Sequence, residues 1–371
     1  MFLQKLTLSN FKNYEIAELN FSDKVNCFVG NNGAGKTNIL DAIYYLSFCK
    51  SYFNSIDSQN IRHDEDFFAI HGNYHNQENT SDKVSCIQKL NHKKTFKLNG
   101  KVYGRLADHI GTIPLVMISP YDRDLINDGS EHRRKYLDGV ISQFNSLYLD
   151  ELISYNKTLL QRNILLKQMF ENRSFDSTSL EVWNDKLMKH GNHIYQKRKE
   201  FLDEFNPLFE KYYQILSGGH ENVNIRYNSQ LNDNNFEDLL DQSRDKDRVV
   251  KHTTCGVHKD DLIFTINGFP VKKYGSQGQQ KSFVIAIKLA QFEFTRLIKK
   301  FKPILLFDDI FDKLDDNRVR QIIELVSENN FGQVFITDTQ RNRIERIFKL
   351  VSIDHKIFDV QDGIVTVSED Q

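Results

Sequence analysis

The sequence predicts an α/β fold in which a mixed β-sheet is flanked by helices and interrupted by an inserted α-helical lobe. Residues 1–29 alternate apolar and polar side chains, as antiparallel strands do. The last of these strands, 25–29, leads into a glycine-rich loop and then a helical pattern, which is the strand–loop–helix order of an α/β unit. From about residue 121 the apolar spacing becomes helical, and alternation returns after residues 217–219.

The order of these patterns predicts a discontinuous domain. Further strands are expected at 67–70, 84–90 and 95–98, with a turn at Asn99-Gly100. We expect 1–120 to form the first part of the α/β domain, 121–216 the helical lobe, and 217–371 the second part of the α/β domain.

The loop after the strand at 25–29 matches the phosphate-binding pattern G-x-x-x-x-G-K-[ST] at every fixed position. Its residues are Gly30, Asn31, Asn32, Gly33, Ala34, Gly35, Lys36 and Thr37, followed by Asn38. Glycines let successive backbone N–H groups converge on phosphate oxygens, Lys36 supplies a positive charge, and the Thr37 hydroxyl can bind Mg²⁺. The helix that follows places the positive end of its dipole at the same point. The loop therefore predicts a bound nucleoside triphosphate such as ATP, against the alternative of a chance glycine-rich turn.

A second apolar strand, 304–307, ends in two carboxylates, Asp308 and Asp309. Buried parallel strands are continuous apolar runs, and their carboxyl ends are where α/β sheets bind ligands. This is the pattern of a Walker B strand, in which Asp308 holds Mg²⁺ and Asp309 orients or deprotonates the attacking water. A solvated acidic turn is the alternative, and the phosphate loop makes it less favoured.

A small-residue loop at 275–279 opens another helical pattern and resembles the S-G-G-Q signature of ABC-type ATPases. Gln277 replaces the first glycine of that signature. In that family the signature of one subunit covers the γ-phosphate of nucleotide held by the other, so we place Ser276, the Gly278 N–H and Gln279 on that phosphate. A helix N-cap is the structural alternative for Ser276.

Two more positions bear on the same resemblance. Asp315 stands where ABC-type proteins carry a loop that touches the opposite subunit, although it could instead cap a helix. Asp338 stands where many of them carry a switch histidine, which argues against rapid hydrolysis.

Strings outside the nucleotide motifs carry a closer resemblance. They are Asn10-Phe11-Lys12-Asn13-Tyr14, Gly35 through Ile43, Ser119-Pro120-Tyr121-Asp122, Tyr155 through Asn163, Gly256 through Asp261 and Gly275 through Lys281. Through them the sequence resembles the RecF family of bacterial recombinational-repair ATPases over essentially its whole length. It departs from the residues usual in that family at four positions: Lys12, Phe53, Val257 and Lys259.

The resemblance implies an ABC-type, SMC-like head with a compact helical arm and an ATP-dependent homodimer. It also implies binding to single-stranded, gapped or duplex-junction DNA, and cooperation with RecR and RecO in loading a recombinase during repair, replication restart and the SOS response. We expect weak, DNA-stimulated ATP hydrolysis rather than metabolic catalysis.

Composition limits the classes of protein that remain. The net charge of −1 and the pI near 6.9 exclude a globally basic nucleic-acid binder, so any DNA contact needs a local basic patch. The cysteines are widely spaced, which argues against a zinc site or a disulfide framework. No apolar run reaches the roughly 18 residues that would cross a bilayer. We expect a cytoplasmic protein without a membrane partner.

Two clusters of charged residues allow more than one interpretation. For His258, Asp260 and Asp261 we expect a solvated turn rather than a metal site. The run Arg133-Arg134-Lys135 could contact phosphodiesters, and a structural salt-bridge role is at least as well supported.

Other classes of ATPase share the phosphate loop. The ATPase subunit of a membrane transporter would carry a glutamate after Walker B and a switch histidine, where this chain has Asp309 and Asp338. An SMC-type chromosome-organising ATPase would need heptads over hundreds of residues, far more than the insertion provides. A scaffold that has lost hydrolysis is disfavoured by four intact residues of the nucleotide site, Lys36, Thr37, Asp308 and Asp309.

Overall fold

The computed structural model describes residues 1–75, 80–219, 221–310, 316–327, 331–349 and 354–368. The strands are β1 Phe2–Phe11, β2 Tyr14–Asn20, β3 Val25–Val29, β4 Phe67–His75, β5 Ser81–Lys89, β6 Thr95–Leu98, β7 Lys101–Val102, β8 Leu115–Ile118, β9 Val223–Asn228, β10 Asp261–Ile266, β11 Phe269–Pro270, β12 Ile304–Asp308, β13 Val334–Asp338, β14 His355–Gln361 and β15 Ile364–Val367. The helices are α1 Lys36–Phe48, α2 Asp124–Asn127, α3 Ser130–Ser142, α4 Ser146–Glu171, α5 Ser177–Ser217, α6 Phe236–Val250, α7 Val271–Tyr274, α8 Gln277–Lys299, α9 Asp316–Ser327 and α10 Arg341–Lys349. None of the described helices combines the length and the apolar character needed to cross a membrane.

The chain divides into two compact units. The first comprises Met1–Asp122 and Lys281–Gln371, and the second comprises Arg123–Gln280. The second unit extends beyond the helical lobe predicted at 121–216, because β9, β10 and β11 form an antiparallel sheet and β9 packs on α5.

Two six-stranded sheets build the first unit. One is antiparallel throughout, in the order β2-β1-β4-β5-β6-β7. The other has the order β15-β14-β3-β13-β12-β8 and is parallel except for the edge pair of β14 and β15. The burial pattern explains the division. β1 buries Leu3, Leu6, Leu8 and Phe11 and leaves the residues between them partly or fully exposed, as a sheet with one covered face does, whereas every residue of β3 is buried. The predicted α/β fold with a mixed sheet is confirmed, and the N-terminal strands lie in a sheet separate from β3.

Helix α1 packs against strands of both sheets. Its apolar residues Leu40, Ile43 and Leu46 are fully buried in the main hydrophobic core of this unit. The start of α1 is fixed by this core, and the phosphate loop immediately precedes that start.

Two long helices, α4 and α5, pack against each other in the second unit, as the helical periodicity predicted. Helix α5 ends at Gly218, which caps it in the left-handed conformation with φ of 80°. Two fully buried arginines join the helices to the rest of the unit. Arg162 pairs with Asp247 at 2.7 Å, and Arg198 pairs with Asp138 at 2.9 Å.

The predicted solvated turn at His258, Asp260 and Asp261 is wrong for two of its residues. Asp260 is buried and pairs with Arg198 at 3.2 Å, while His258 is held between Tyr155 and the Thr253 carbonyl. A buried charge needs a partner, and this position has one. Among the described residues, no group of three or more His, Cys, Asp and Glu side chains is placed to hold a metal ion.

The two arginines of the predicted phosphodiester patch form structural contacts within the protein, which was the alternative interpretation. Arg133 makes a two-pronged contact with Asp261, its Nε at 2.6 Å and one terminal nitrogen at 3.1 Å. Arg134 donates to the Asp260 carbonyl oxygen at 2.6 Å. These contacts bind α3 to β10 within the second unit.

Candidate nucleotide site

The phosphate loop joins the carboxyl end of β3 to the amino end of α1 in a conformation that two glycines make possible. Gly30 has φ of 156°, and a Cβ at this position would lie 2.2 Å from the Val360 carbonyl oxygen. Gly35 has φ of 115°, and its Cβ would meet the Asn13 side chain at 2.4 Å. Side chains are thus excluded at these two positions, and glycines there let the backbone approach an anion closely.

Lys36 is the first residue of α1 and is only 6% exposed. Its ammonium donates to the carbonyl oxygens of Gly30 and Asn31, each at 2.8 Å. Burial lowers the pKa of Lys36, while the charges of Asp309, Asp308 and Asp338 act in the opposite direction. The lysine is therefore held inside its own loop, close to three carboxylates.

Asp308 is the last residue of β12 and lies beside the hydroxyl of Thr37. The Thr37 hydroxyl donates to Asp308 Oδ1 at 2.8 Å, the Thr337 hydroxyl donates to the same oxygen at 3.0 Å, and the Ser119 hydroxyl donates to Oδ2 at 3.5 Å. Burial raises the pKa of Asp308, and these hydrogen bonds oppose the rise. A hydroxyl and a carboxylate at this spacing are the hard oxygen ligands that Mg²⁺ prefers, so the residues fit the predicted metal.

Asp309 follows β12 in the left-handed backbone conformation, with φ of 46°. Its N–H donates to the Thr337 hydroxyl at 2.9 Å. Asp338, at the end of the neighbouring strand β13, accepts from the Gln340 N–H at 2.7 Å and pairs with Arg343 at 3.3 Å. Because β12 and β13 are parallel neighbours, both carboxylates lie at the edge of the sheet that carries the phosphate loop.

A cavity of about 150 Å³ lies where these groups meet. It is lined by Asn32, Gly33, Gly35, Lys36, Thr37, Asn38, Asp309 and Thr337. The structure thus brings together the predicted phosphate-loop residues and the predicted Walker B carboxylates. A cavity with backbone donors, a lysine and metal-binding oxygens can bind a polyphosphate through a divalent cation.

Residues at the turn between β1 and β2 support the loop from the other sheet. The Tyr14 hydroxyl donates to the Gly35 carbonyl oxygen at 3.0 Å, and the Asn13 amide donates to that of Ala34 at 3.1 Å. Asn38 in turn donates to the Asn13 side-chain oxygen at 2.7 Å. Asn13 and Tyr14 belong to one of the strings similar to the RecF family, but their contacts with the loop were not predicted from the sequence, and neither were the contacts of Thr337 with Asp308 and Asp309.

Lys12 and Lys259, the two lysines that differ from the residues usual in the RecF family, have different surroundings. Lys12 pairs with the buried Asp41 at 2.6 Å, and its ammonium lies 5.3 Å from the centre of the Phe53 ring. Two of the departing residues, Lys12 and Phe53, therefore contact each other. Lys259 is exposed.

The signature residues belong to the second compact unit, at the start of α8. The Gln279 N–H donates to the Ser276 hydroxyl at 3.2 Å, and the Ser276 N–H donates to Gln279 Oε1 at 2.7 Å. This reciprocal pair is a capping box, so the N-cap reading of Ser276 is confirmed. Ser276 is exposed and Gly278 is half-buried. Asp315, the remaining predicted contact, lies outside the described residues.

Comparison with known proteins places these features in a family. The model of the RecF/RecN/SMC N-terminal domain matches residues 2–362. The DNA replication and repair protein RecF of Flavobacterium johnsoniae is 51% identical over 360 residues, which are 97% of this chain and 100% of that protein. That of Bacteroides fragilis strain YCH46 is 47% identical over 371 residues, the full length of both chains.

Solved structures give the same result for the fold. A structure of the recombination mediator protein RecF with ATP, in the RecFOR pathway, has a TM-score of 0.90 and 31% identity, covering 99% of this chain and 98% of that chain. The Smc head domain of Pyrococcus furiosus has a TM-score of 0.57 and 18% identity, with 99% and 96% covered, and shows likeness of fold alone.

Proposed function

The chain belongs to the RecF family of DNA replication and repair proteins, and we propose that it is an ATP-dependent DNA-binding protein of recombinational repair and replication restart. The observation that carries the proposal is the pairing of a complete phosphate loop with Asp308, 2.8 Å from the Thr37 hydroxyl, in a chain that matches RecF proteins along its whole length. A relative solved with ATP supports the choice of nucleotide.

In this proposal Lys36 and the loop N–H groups bind the β- and γ-phosphates of ATP. Thr37 and Asp308 hold Mg²⁺, which neutralises charge on the phosphate oxygens. Asp309 orients the attacking water. Hydrolysis is weak, because Asp338 stands where many ABC-type proteins carry a switch histidine, and DNA stimulates it.

The nucleotide also joins two copies of the chain. Ser276, the Gly278 N–H and Gln279 of one copy bind the γ-phosphate held by the other, and Asp315 contacts the opposite copy. The exposed Ser276 at a helix N-terminus has the chemistry to bind an anion. ATP binding therefore favours the homodimer, and hydrolysis releases it.

The dimer acts in the cytoplasm on single-stranded, gapped or duplex-junction DNA. With RecR and RecO it helps to load recombinase and supports the SOS response. The related RecF structure belongs to the RecFOR pathway, which supports this choice of partners.

Light scattering with ATP, with ADP and without nucleotide tests whether ATP joins two copies of the chain. We expect ATP alone to shift the chain from monomer to dimer, and Lys36→Ala and Ser276→Arg to remain monomeric. Ser276→Thr keeps the hydroxyl and serves as the matched control. A wild-type chain that stays monomeric with ATP would refute the model.

Binding of labelled single-stranded, duplex and gapped DNA, with and without ATP, tests the second half of the proposal. We expect ATP to strengthen binding and salt to weaken it, since cations on DNA are released when lysines and arginines neutralise phosphates. Equal affinity with and without ATP would remove the link between nucleotide and DNA.

The rival classes have less support. Curated relatives that match this chain over its full length are RecF proteins, not transporter subunits. The arm formed by α4 and α5 is 26 and 41 residues long, short of the heptads that an SMC-type arm requires.

A further inference from the structure

A cavity of about 580 Å³ lies in the first unit, at the edge of the parallel sheet opposite the phosphate loop. Its walls come from residues that precede the amino ends of three strands: Lys24 before β3, Lys302 before β12 and Gly332 before β13. The phosphate loop follows the carboxyl end of β3. A five-residue strand rises about 3.3 Å per residue, so roughly 16 Å of sheet separates the two sites.

Basic side chains from two stretches of the chain, residue 24 and residues 296–302, converge on this cavity. They are Lys24, Arg296, Lys300 and Lys302. Of the described residues that line it, Asp23 alone is acidic, and Arg296 also pairs with Glu293 at 2.7 Å. Burial lowers the pKa of Lys302, and the charges of Lys24 and Arg296 lower it further. The cations are therefore close enough to repel one another.

Stabilisation of a helix end explains only part of this arrangement. Arg296 and Lys300 lie at the carboxyl end of α8, where positive charge interacts favourably with the helix dipole. Lys24 and Lys302 lie outside this helix. A group of positive charges at a concave surface attracts anions such as phosphates.

The rest of the wall is apolar and partly aromatic. Phe2 and Phe301 are half-buried, Leu297 is 52% exposed, and all three line the cavity. The volume lies within the range of roughly 300 to 1,000 Å³ that is usual for small-molecule sites. Cations beside aromatic rings are the chemistry of single-strand binding, in which phosphates meet positive charge and unpaired bases meet ring faces. Bases of a duplex are stacked inside the helix and cannot enter such a cavity.

We propose that this basic cavity binds single-stranded nucleic acid, with Lys24, Lys300 and Lys302 on its phosphates and the aromatic wall against a base. The inference rests on the proposed function, because it supplies a surface for the DNA binding argued above. It also places that surface away from the nucleotide, so the two can be altered separately.

The double variant Lys24→Ala/Lys300→Ala tests the proposal. Its affinity for a labelled single-stranded oligonucleotide is measured with ATP over a range of salt concentrations. Each phosphate contact with a single strand contributes about 0.7 to the slope of log K against log salt. We therefore expect the slope to fall by about 1.4, and the affinity at about 0.1 M salt to fall roughly 25-fold.

Lys93→Ala/Lys101→Ala is the matched control, because it removes the same charge from exposed positions of the same unit. We expect it to bind DNA like the wild type. Light scattering measures the ATP-dependent dimerisation of both double variants, and we expect it to equal that of the wild type. This result would show that the fold and the nucleotide site are intact.

The outcomes separate the two proposals. If the wild type binds neither single-stranded nor gapped nor duplex DNA with ATP, the proposed function fails and this inference with it. If it binds gapped or duplex DNA but not single strands, this inference alone is overturned. If the wild type binds and the cavity variant keeps its affinity and salt slope, the cavity proposal alone is overturned. An equal loss in both double variants also overturns it, because binding would then depend on charge anywhere on the unit.

Discussion

His258 makes the stability of the second unit depend on pH. Its Nδ1 accepts from the Tyr155 hydroxyl at 2.8 Å and its Nε2 donates to the Thr253 carbonyl oxygen at 3.1 Å. Both contacts suit the neutral ring. The pKa of His258 is lowered from 6.5 to about 4, mainly by burial and also by the nearby charges of Lys259 and Arg134, while the Thr253 carbonyl and Asp247 oppose the change.

The size of the effect follows from these two pKa values. Between pH 6.5 and about 4 the histidine is protonated in the unfolded chain but not in the folded one. Stability is therefore lost as the pH falls through this window, and the loss is complete below it. One unit of difference in pKa corresponds to about 1.4 kcal/mol, so the full loss is on the order of 3 kcal/mol, of which about 2 kcal/mol is reached at pH 5.

Urea unfolding of the wild type and of His258→Gln, at about pH 7.5 and about pH 5, measures this contribution. Glutamine can donate and accept as the neutral ring does, but it does not titrate. We expect the wild type to lose about 2 kcal/mol more than the variant between the two pH values. His63→Gln, at an exposed position, is the control. Equal losses for the wild type and His258→Gln would refute the assignment of a buried neutral histidine.

Three further substitutions have defined outcomes. Gln333→Leu removes side-chain hydrogen bonds to both the N–H and the carbonyl of Leu3, and we expect urea unfolding to show a loss of about 2 to 4 kcal/mol. Leu46→Ala leaves a cavity in the fully buried core and should cost about 2 to 5 kcal/mol in the same assay, with an unchanged value arguing against the assigned packing. Gly30→Ala forces a Cβ to within 2.2 Å of a backbone oxygen, so binding of a fluorescent ATP analogue should weaken by at least about tenfold, whereas wild-type affinity would contradict the loop geometry.

The parts of the site that sequence could predict are those whose chemistry is local. Eight consecutive residues define the phosphate loop, and a strand ending in Asp308 and Asp309 defines the carboxylates, so both were predicted from short strings. Their meeting in space also followed, because parallel strands present their carboxyl ends at one edge of a sheet. The hydrogen bond between Thr37 and Asp308 confirms this meeting.

Contacts between distant segments could not be predicted in the same way. Thr337 lies at the end of an apolar strand like many others, and only the pairing of β12 with β13 places its hydroxyl on Asp308. Asp260 lies in a charged segment whose sequence is typical of a solvated turn. It is nevertheless buried and paired with Arg198 of α5, which is distant in sequence. The contact of Ser276 with the γ-phosphate of a nucleotide held by a second copy of the chain stays a prediction, because the structure contains one copy.

The support of the loop by the antiparallel sheet has a consequence for nucleotide binding. Asn13 and Tyr14 donate hydrogen bonds to the carbonyl oxygens of Ala34 and Gly35, which holds the backbone of the loop at these two residues. The loop is therefore ordered before phosphate arrives, and little conformational entropy is lost on binding. The ammonium of Lys36, in contrast, already donates to two loop carbonyls, and a phosphate must compete with them. Affinity for nucleotide is thus set by the exchange of these lysine contacts for phosphate oxygens within a fixed loop, and not by folding of the loop around its ligand.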